Sequence, residues 1–259
     1  MGVLFPKKVT SVSMKTIKRG SVLGFLLFLA IWTQTAGLQL TTATRSGFLT
    51  ALYVPFTPLL AWVCYRQKMF PRQFFVTFVA MGGLYILTNQ GQLSNSLWFW
   101  LSQMNRGDLW TIATAFVSAL HIVVTEKYSR EEPDSLALGL WQFLWCTFWV
   151  SGTALWNSRY AVPFASYSWN LLDWPFFALG SVFFNAIVST CFGFVMQIVA
   201  QKTVGSLKAA LIFALEAPFA SGFAYVFLGE LMTPREFVGA LIVFLTGIIP
   251  EGWLKSKQS

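Results

Sequence analysis

The stretch that decides the fold runs from Ala209 to Leu228 and reads AALIFALEAPFASGFAYVFL. It has the roughly 20 apolar residues that a helix needs to cross a bilayer. It also carries a carboxylate, Glu216, and a helix-breaking proline, Pro218. A carboxylate at mid-membrane depth costs roughly 2.5–3.5 kcal/mol, and a proline removes a backbone hydrogen bond. We therefore predict a membrane helix that is kinked near a buried Glu216, whose side chain meets a partner or a wet cavity.

The composition of the whole chain is that of an integral membrane protein. Of its 259 residues 56% are hydrophobic and 11% are charged, whereas soluble domains carry about 25% charged residues. Few polar stretches remain from which a separate soluble domain could form. We therefore expect one all-α polytopic membrane domain.

Eight segments are predicted to be transmembrane helices. Their connections are short except 89–106 and 157–173, which contain tryptophan and tyrosine residues typical of a membrane interface. The predicted spans are residues 20–39, 46–65, 71–88, 107–126, 135–156, 174–200, 206–228 and 233–250.

The distribution of basic residues predicts the orientation. If the spans alternate from a cytoplasmic N-terminus, 14 of the 18 Lys and Arg residues lie inside and four outside: Arg45, Arg106, Arg159 and Arg235. The positive-inside rule then places both termini in the cytoplasm of a multi-pass protein of the cell (inner) membrane. This rule also accounts for the net charge of +8, so we expect no nucleic-acid partner.

The sequence contains an internal repeat. Residues 51–74 align with residues 214–237 without a gap, and ten of these 24 positions are identical. Apolar composition alone could match alanines, leucines and phenylalanines, but it would not match two prolines and an arginine. The identical pairs include Ala51/Ala214, Leu52/Leu215, Pro55/Pro218, Pro71/Pro234 and Arg72/Arg235.

The loop charges indicate that the two repeats are inverted in the membrane. The loop 66–72 has three basic residues, whereas its counterpart 229–235 has Glu230 and one arginine. Inversion requires an odd number of spans in each repeat. The second repeat holds five spans and the first only three, so a complete first repeat would need two more helices before Met1. The alternatives are a start-site error, a fragment, a natural eight-helix form, or a form that a partner chain completes.

Several motifs resemble the EamA domain of the drug/metabolite transporter superfamily. Residues 215–219 read LEAPF, residues 228–230 read LGE, and the last span ends in Thr246-Gly247-Ile248. The first half agrees in Gln34–Leu38 and Ser46–Pro55, and the fourth span opens on Gly107-Asp108-Leu109. The resemblance covers about residues 20–250. It implies inverted EamA-type repeats, with the first repeat truncated.

The resemblance implies a secondary active transporter of a small organic metabolite or drug, working by alternating access. The alternative is a truncated, transport-inactive membrane protein or partner subunit. The expected partners are the substrate, the bilayer, and a second copy or a partner chain. The expected organisation is a cytoplasmic basic segment (1–19), a partial first repeat of three helices (20–88), an external interfacial loop (89–106), a second repeat of five helices (107–250) and a cytoplasmic tail (251–259).

No pattern in the sequence predicts a cofactor, a metal or an enzyme. Cys64, Cys146 and Cys191 have no metal-type spacing and lie in apolar segments, so we expect them to be buried packing residues. There is no glycine-rich phosphate loop and no Ser/His/Asp constellation. An intramembrane enzyme that uses Glu216 as acid or base is the weaker alternative, since no nucleophile or second acid accompanies it.

Glu216 is the first candidate site residue. It could bind a cationic part of a substrate or take up and release a proton, or it could serve only to hold a neighbouring helix end. Its counterpart in the first repeat is Tyr53, which has a polar tip without a charge. Pro55 and Pro218 are the predicted helix breaks.

The other candidates are polar or aromatic residues within the apolar spans. Gln34 and Gln197 are repeat counterparts and could bond either to substrate or to neighbouring helices. Lys208 could reach the inner surface or meet an anionic substrate group. His121, Asn185 and Trp32 could relay a proton, bind a polar group or stack on a solute, and each could equally be a packing residue. Asp108 is predicted to be a helix N-cap.

Overall fold

The computed structural model shows a helical protein, with no β-strand among the residues that it describes. These residues are 13–41, 43–67, 70–88, 104–160, 176–223, 225–226, 233–249 and 251–254. Most of the predicted N-terminal segment 1–19, most of the loop 89–106 and the end of the tail 251–259 lie outside them.

Within the described residues, every predicted span coincides with one helix or with consecutive helices. Five continuous stretches of this described part are long and apolar enough to cross a membrane, by length and composition alone: Met14–Leu38, Ser46–Tyr65, Arg106–Glu131, Leu179–Ala200 and Ser206–Phe223. The chain is therefore a polytopic helical membrane protein. The helices are α1 (Met14–Leu38), α2 (Ala43–Thr50), α3 (Tyr53–Tyr65), α4 (Pro71–Thr88), α5 (Arg106–Glu131), α6 (Ser135–Tyr160), α7 (Phe176–Phe184), a π-helix (Asn185–Phe192), α8 (Gly193–Ala200), α9 (Ser206–Phe213), α10 (Glu216–Phe223), α11 (Pro234–Ile248) and α12 (Glu251–Leu254).

Two helix starts follow from local capping. At α11 the Thr233 hydroxyl accepts from the N–H of Glu236 at 3.3 Å, and the Glu236 carboxylate accepts from the N–H of Thr233 at 2.6 Å, which is a capping box. At α5 the side-chain oxygen of Asn105 accepts from the N–H of Asp108 at 2.9 Å, and the Asp108 carboxylate accepts from the N–H of Asn105 at 3.0 Å. Asp108 was predicted to be the N-cap, and this is wrong. The helix begins earlier, at Arg106, because the cap is Asn105 and Asp108 closes the box from the first turn.

The contacts divide the chain into two compact units. The first comprises Met1–Phe28 and Lys127–Thr203. Within it, Gly20 and Gly24 let α1 approach α6 closely, since a Cβ on Gly20 would lie 2.4 Å from the Cβ of Trp141 and one on Gly24 would lie 2.5 Å from the carbonyl oxygen of Gln142. Small residues permit this kind of close helix packing in membranes.

The second unit comprises Leu29–Glu126 and Val204–Ser259. Its core is the crossing of α4 with α11. A Cβ on Gly239 would lie 2.5 Å from the backbone nitrogen of Leu87 and 2.7 Å from the carbonyl oxygen of Gly83. Gly83 in turn faces Ile242 and Val243. Positions later in α4 thus meet positions earlier in α11, so the two helices run antiparallel.

Large apolar side chains cover the outer faces of the helices. Phe75 and Phe78 on α4 are 66% and 70% exposed, and Phe237 on α11 is 62% exposed. This is the expected surface of a protein surrounded by lipid, whose tails are as apolar as these side chains. Contact of the outer helix faces with lipid also corrects the expectation for the cysteines. All three cysteines were predicted to be buried, but Cys146 is buried, Cys191 is half-buried and Cys64 is exposed.

Candidate functional site

Two helices of the second unit are broken in the middle of a predicted span. The first break, at Ala51 and Leu52, separates α2 from α3, and the second, at Ala214 and Leu215, separates α9 from α10. These four residues are the counterparts that the repeat alignment pairs. The break therefore recurs at the same place in both repeats.

The hydrogen bonds around the two breaks follow the same pattern. Leu52 and Leu215 donate to the carbonyl three residues earlier, Leu49 and Ile212, at 3.2 and 3.1 Å. Val54 and Ala217 do the same to Ala51 and Ala214, at 3.0 and 3.3 Å. Each break is thus one tightened turn with bonds from residue i to i−3 instead of i−4.

The matched prolines explain the position of the breaks. Pro55 has no N–H for the carbonyl of Ala51, and its ring would clash with that carbonyl in a continuous helix. Pro218 stands in the same relation to Ala214. Each proline instead occupies the first turn of the next helix, where no N–H is needed. The helix is therefore interrupted upstream of Pro55 and of Pro218.

Tyr53 packs against the half-helix that precedes Glu216. α3 packs against α9, and the ring of Tyr53 lies against the core cluster that contains Ala214. The charge of the Glu216 carboxylate lies within electrostatic range of the Tyr53 hydroxyl. Both residues are the first of a helix that follows a break. The candidate site is therefore a phenol and a carboxylate at two equivalent helix starts.

Glu216 differs from the prediction in its exposure. It was expected to be buried, but it is exposed and Tyr53 is half-buried. The reason is that no residue of α10 is buried, so its first residue also lies at the surface of the chain. A carboxylate at the N-terminus of a helix is stabilised by the macrodipole, which offsets part of the cost of its position.

Gln34 and Gln197 make different contacts although they are repeat counterparts. The Gln34 amide nitrogen donates to the Ser46 hydroxyl at 3.1 Å, and its oxygen accepts from the Thr50 hydroxyl at 2.9 Å. Gln34 thus joins α1 to α2. Gln197 donates to Gln201, in the next turn of its own chain segment, at 3.3 Å. The contacts of Gln34 agree with the alternative in which this side chain bonds to a neighbouring helix.

Lys208 and His121 lie on helices next to the break. The half-buried Lys208 donates to the carbonyl of Gly247, near the C-terminus of α11, where a positive charge is favoured by the macrodipole. His121 is buried on α5, 4% exposed. Ile122, beside it, packs in the same cluster as Tyr53. The structure thus places both residues near the broken helices.

Asn185 and Trp32 lie on exposed helix surfaces. Asn185 is exposed at the start of the π-helix, a form that occurs often at functional sites. Trp32 is 41% exposed, and its ring meets that of Trp110 edge to face at 5.2 Å. Asn185 and Trp32 fall in different compact units from each other.

Sequence reasoning missed three buried charged residues. Arg19 and Glu132 form an ion pair at 3.1 Å, each side chain 7% exposed, and Arg19 also pairs with Glu131. Glu126, 5% exposed, accepts from the backbone N–H of Ser206 at 2.7 Å. These residues stand at or near the ends of predicted spans, where only the basic residues were counted, and only to assign the orientation. Basic and acidic residues at span ends on the same predicted side were the signal that could have found them.

The sequence pattern of the EamA-like transporter family matches residues 105–249. The chain belongs to this family. The matched stretch begins just before α5 and ends just after α11, and it includes the second break with Glu216. EamA-like proteins are members of the drug/metabolite transporter superfamily, as the sequence motifs predicted.

One curated relative of this EamA chain is an uncharacterized transporter of Archaeoglobus fulgidus. The two are 29% identical over 233 residues, which are 90% of this chain and 68% of the relative. The family and this relative identify a membrane transporter in general terms and point to transport rather than to catalysis. A protein of known crystal structure shares the fold, with a TM-score of 0.71 and 12% identity over 95% of this chain and 79% of the other.

Proposed function

We propose that the chain is a secondary active transporter that moves a small organic metabolite or drug across the cell (inner) membrane by alternating access. One observation carries this proposal. Two helices are broken at equivalent positions of the repeat, each just before a candidate polar residue, Tyr53 or Glu216, and the half-helix after the first break packs against the half-helix before the second. Discontinuous helices at the midplane are the form in which many transporters build their binding sites.

The packing of α4 against α11 supports an inverted repeat. These helices are counterparts, since Pro71 and Pro234 begin them, and they run antiparallel through the contacts of Gly83 and Gly239. Counterpart helices that point in opposite directions are what inversion requires. In the proposed cycle, the two repeats alternate between an outward and an inward arrangement, with both termini in the cytoplasm.

We assign Glu216 the central role in recognition or coupling. Its carboxylate can hold a cationic part of the substrate, or it can exchange the substrate for a proton. Tyr53 can donate a hydrogen bond to that carboxylate or to the substrate. A gradient of protons or of solute would drive the exchange, because the sequence has no nucleotide-binding loop.

Flux measurements on the reconstituted chain test this function. The purified protein is inserted into liposomes that contain a pH-sensitive dye, with an imposed pH gradient or membrane potential. The probes are a mixture of L-amino acids, uridine monophosphate and tetraphenylphosphonium. We expect a gradient-dependent flux of at least one probe class. Glu216→Gln should abolish that flux or uncouple it from pH, whereas Glu236→Gln, a change in the capping box of α11, should leave it intact.

Two results would contradict parts of the proposal. An inserted wild-type chain without flux of any probe under any gradient would favour the alternative, a transport-inactive protein or a subunit that needs a partner chain. Flux in Glu216→Gln with unchanged pH dependence would show that Glu216 takes no part in the mechanism, and it would still support a transport function.

A further inference from the structure

Helix α9 begins without a capping side chain of its own. Its N-cap residue is Gly205, which has φ −68° and ψ 157° and offers no side-chain cap. The first N–H groups of a helix have no partner within the helix, and an unsatisfied N–H in an apolar environment is strongly unfavourable. An acceptor for the start of α9 must therefore come from elsewhere.

The carboxylate of Glu126, on α5, is that acceptor. Its Oε2 atom lies 2.7 Å from the backbone nitrogen of Ser206. Both residues are buried, Glu126 at 5% and Ser206 at 3% exposure. A negative charge at a helix N-terminus also interacts favourably with the macrodipole, and burial reduces the screening of this interaction. Glu126 thus takes the place of the missing N-cap side chain.

The two halves of the broken helix are held very differently. α9 buries most of its residues, and Lys208 ties it to the carbonyl of Gly247 on α11. α10 buries none of its residues. Glu216, at the start of α10, is therefore joined through the break to a half-helix that is fixed by Glu126 at one end.

We propose that Glu126 is a positioning residue for the candidate site. By fixing the N-terminus of α9, it fixes the break at Ala214 and Leu215, about 12 Å further along the helix axis, and with it the place of Glu216. Rearrangement during transport then falls on α10, while α9 stays in place. This inference rests on the proposed transport function, in which Glu216 must return to one position in each cycle.

A capping residue moved into α9 itself provides the test. Glu126→Ala removes the acceptor of the Ser206 N–H. Gly205→Ser supplies an acceptor to the next N–H groups of the same turn, those of Leu207 and Lys208, because the backbone angles of Gly205 suit an N-cap serine. Glu126→Ala, the double variant, Gly205→Ser alone and wild type are compared in lipid nanodiscs. The first readout is hydrogen exchange of the amides of residues 206–213, and the second is the rate of flux in liposomes.

We expect Glu126→Ala to raise exchange in α9 by about fivefold, the size of a typical N-cap effect. The double variant should recover part of the loss in both readouts, because its serine stabilises the same first turn but does not reach the Ser206 N–H. Gly205→Ser alone should behave as wild type. If Glu126→Ala does not insert stably, the double variant should restore insertion. Glu126→Gln, which keeps an oxygen acceptor without the charge, should fall between wild type and Glu126→Ala.

Unchanged exchange in Glu126→Ala would overturn the proposal, and so would a double variant without any recovery. Wild-type exchange together with lost flux in Glu126→Ala would mean that Glu126 acts by contacting substrate or protons instead of through the cap. The hydrogen-exchange readout does not depend on transport. A chain that shows the expected exchange pattern but no flux would therefore contradict the proposed function and leave the capping role of Glu126 intact.

Discussion

At the scale of single residues, Gln34 shows how repeat counterparts come to differ. Its amide bonds to both Ser46 and Thr50 of α2, while that of Gln197 bonds to Gln201 nearby in its own segment. Polar side chains that join helices in a membrane contribute about 0.6 kcal/mol per hydrogen bond on average. The contribution of each glutamine to stability should therefore be unequal.

Substitution of the two glutamines tests this difference. Gln34→Leu should lower the free energy of unfolding by about 1–2 kcal/mol, since it removes two interhelical bonds and leaves two hydroxyls without that partner. Gln197→Leu should have a smaller effect, because it breaks a bond within one segment. Thermal unfolding in detergent micelles measures both. Equal losses of stability would show that the contacts of Gln34 have no special weight.

At the scale of the helix, Pro218 sets the second break. Pro218→Ala would supply an N–H to the carbonyl of Ala214, remove the ring clash and favour a continuous helix. We expect slower turnover in the flux assay, because α10 would lose its freedom relative to α9. Pro234→Ala is the matched control, since Pro234 occupies the first position of α11, where no N–H is needed. Identical rates for Pro218→Ala and wild type would mean that the break is only structural.

The crossing of α4 and α11 gives a second prediction at this scale. Gly239→Ala should destabilise the protein by about 1–3 kcal/mol, because the new methyl group would meet the backbone of Leu87 and Gly83 and force the helices apart. Gly82→Ala is the control on α4, since nothing lies within 4 Å of a Cβ at that position. It should be neutral or stabilising. Denaturation midpoints that shift equally in both variants would refute the close crossing.

The sequence predicted the helices better than their contacts. Apolar runs of bilayer length are local signals, so the eight spans and the proline breaks could be located from sequence. The capping of α9 by Glu126 and the ion pair of Arg19 with Glu132 join residues far apart in the chain. Their charges at span ends can be seen in the sequence, but no local pattern encodes which residue each of them contacts. The exposure of Glu216 depends on how α10 packs, which the apolar pattern of that stretch did not reveal.

At the scale of the whole molecule, the proposed inversion of the repeats makes a directional prediction. Arg72 and Arg235 are counterparts near the starts of α4 and α11, and both are exposed. If the repeats are inverted, these positions face opposite sides of the membrane. Cys64, Cys146 and Cys191 are first replaced by alanine, and a single cysteine is then placed at position 72 or 235. A membrane-impermeant maleimide added to intact cells should label position 235 and not position 72.

Labelling of both positions from outside would contradict the inverted arrangement, as would labelling of position 72 alone. A variant without any cysteine provides the background signal. Permeabilised cells provide the control for reactivity, since both positions should then be labelled. The same pair therefore tests the orientation of the termini and the sense of the repeat in one experiment.

The glycine contact between α4 and α11 also has a consequence for inhibition. With the backbone of Gly239 against that of Leu87 and Gly83, no room remains at this crossing for a drug-sized molecule to insert. The α10 half-helix, none of whose residues is buried, and the break before it are the opposite case, because a ligand could occupy the space into which we propose that α10 moves. A screen for inhibitors of this protein should therefore yield resistance substitutions around Ala214–Phe223 and none in the glycine crossing.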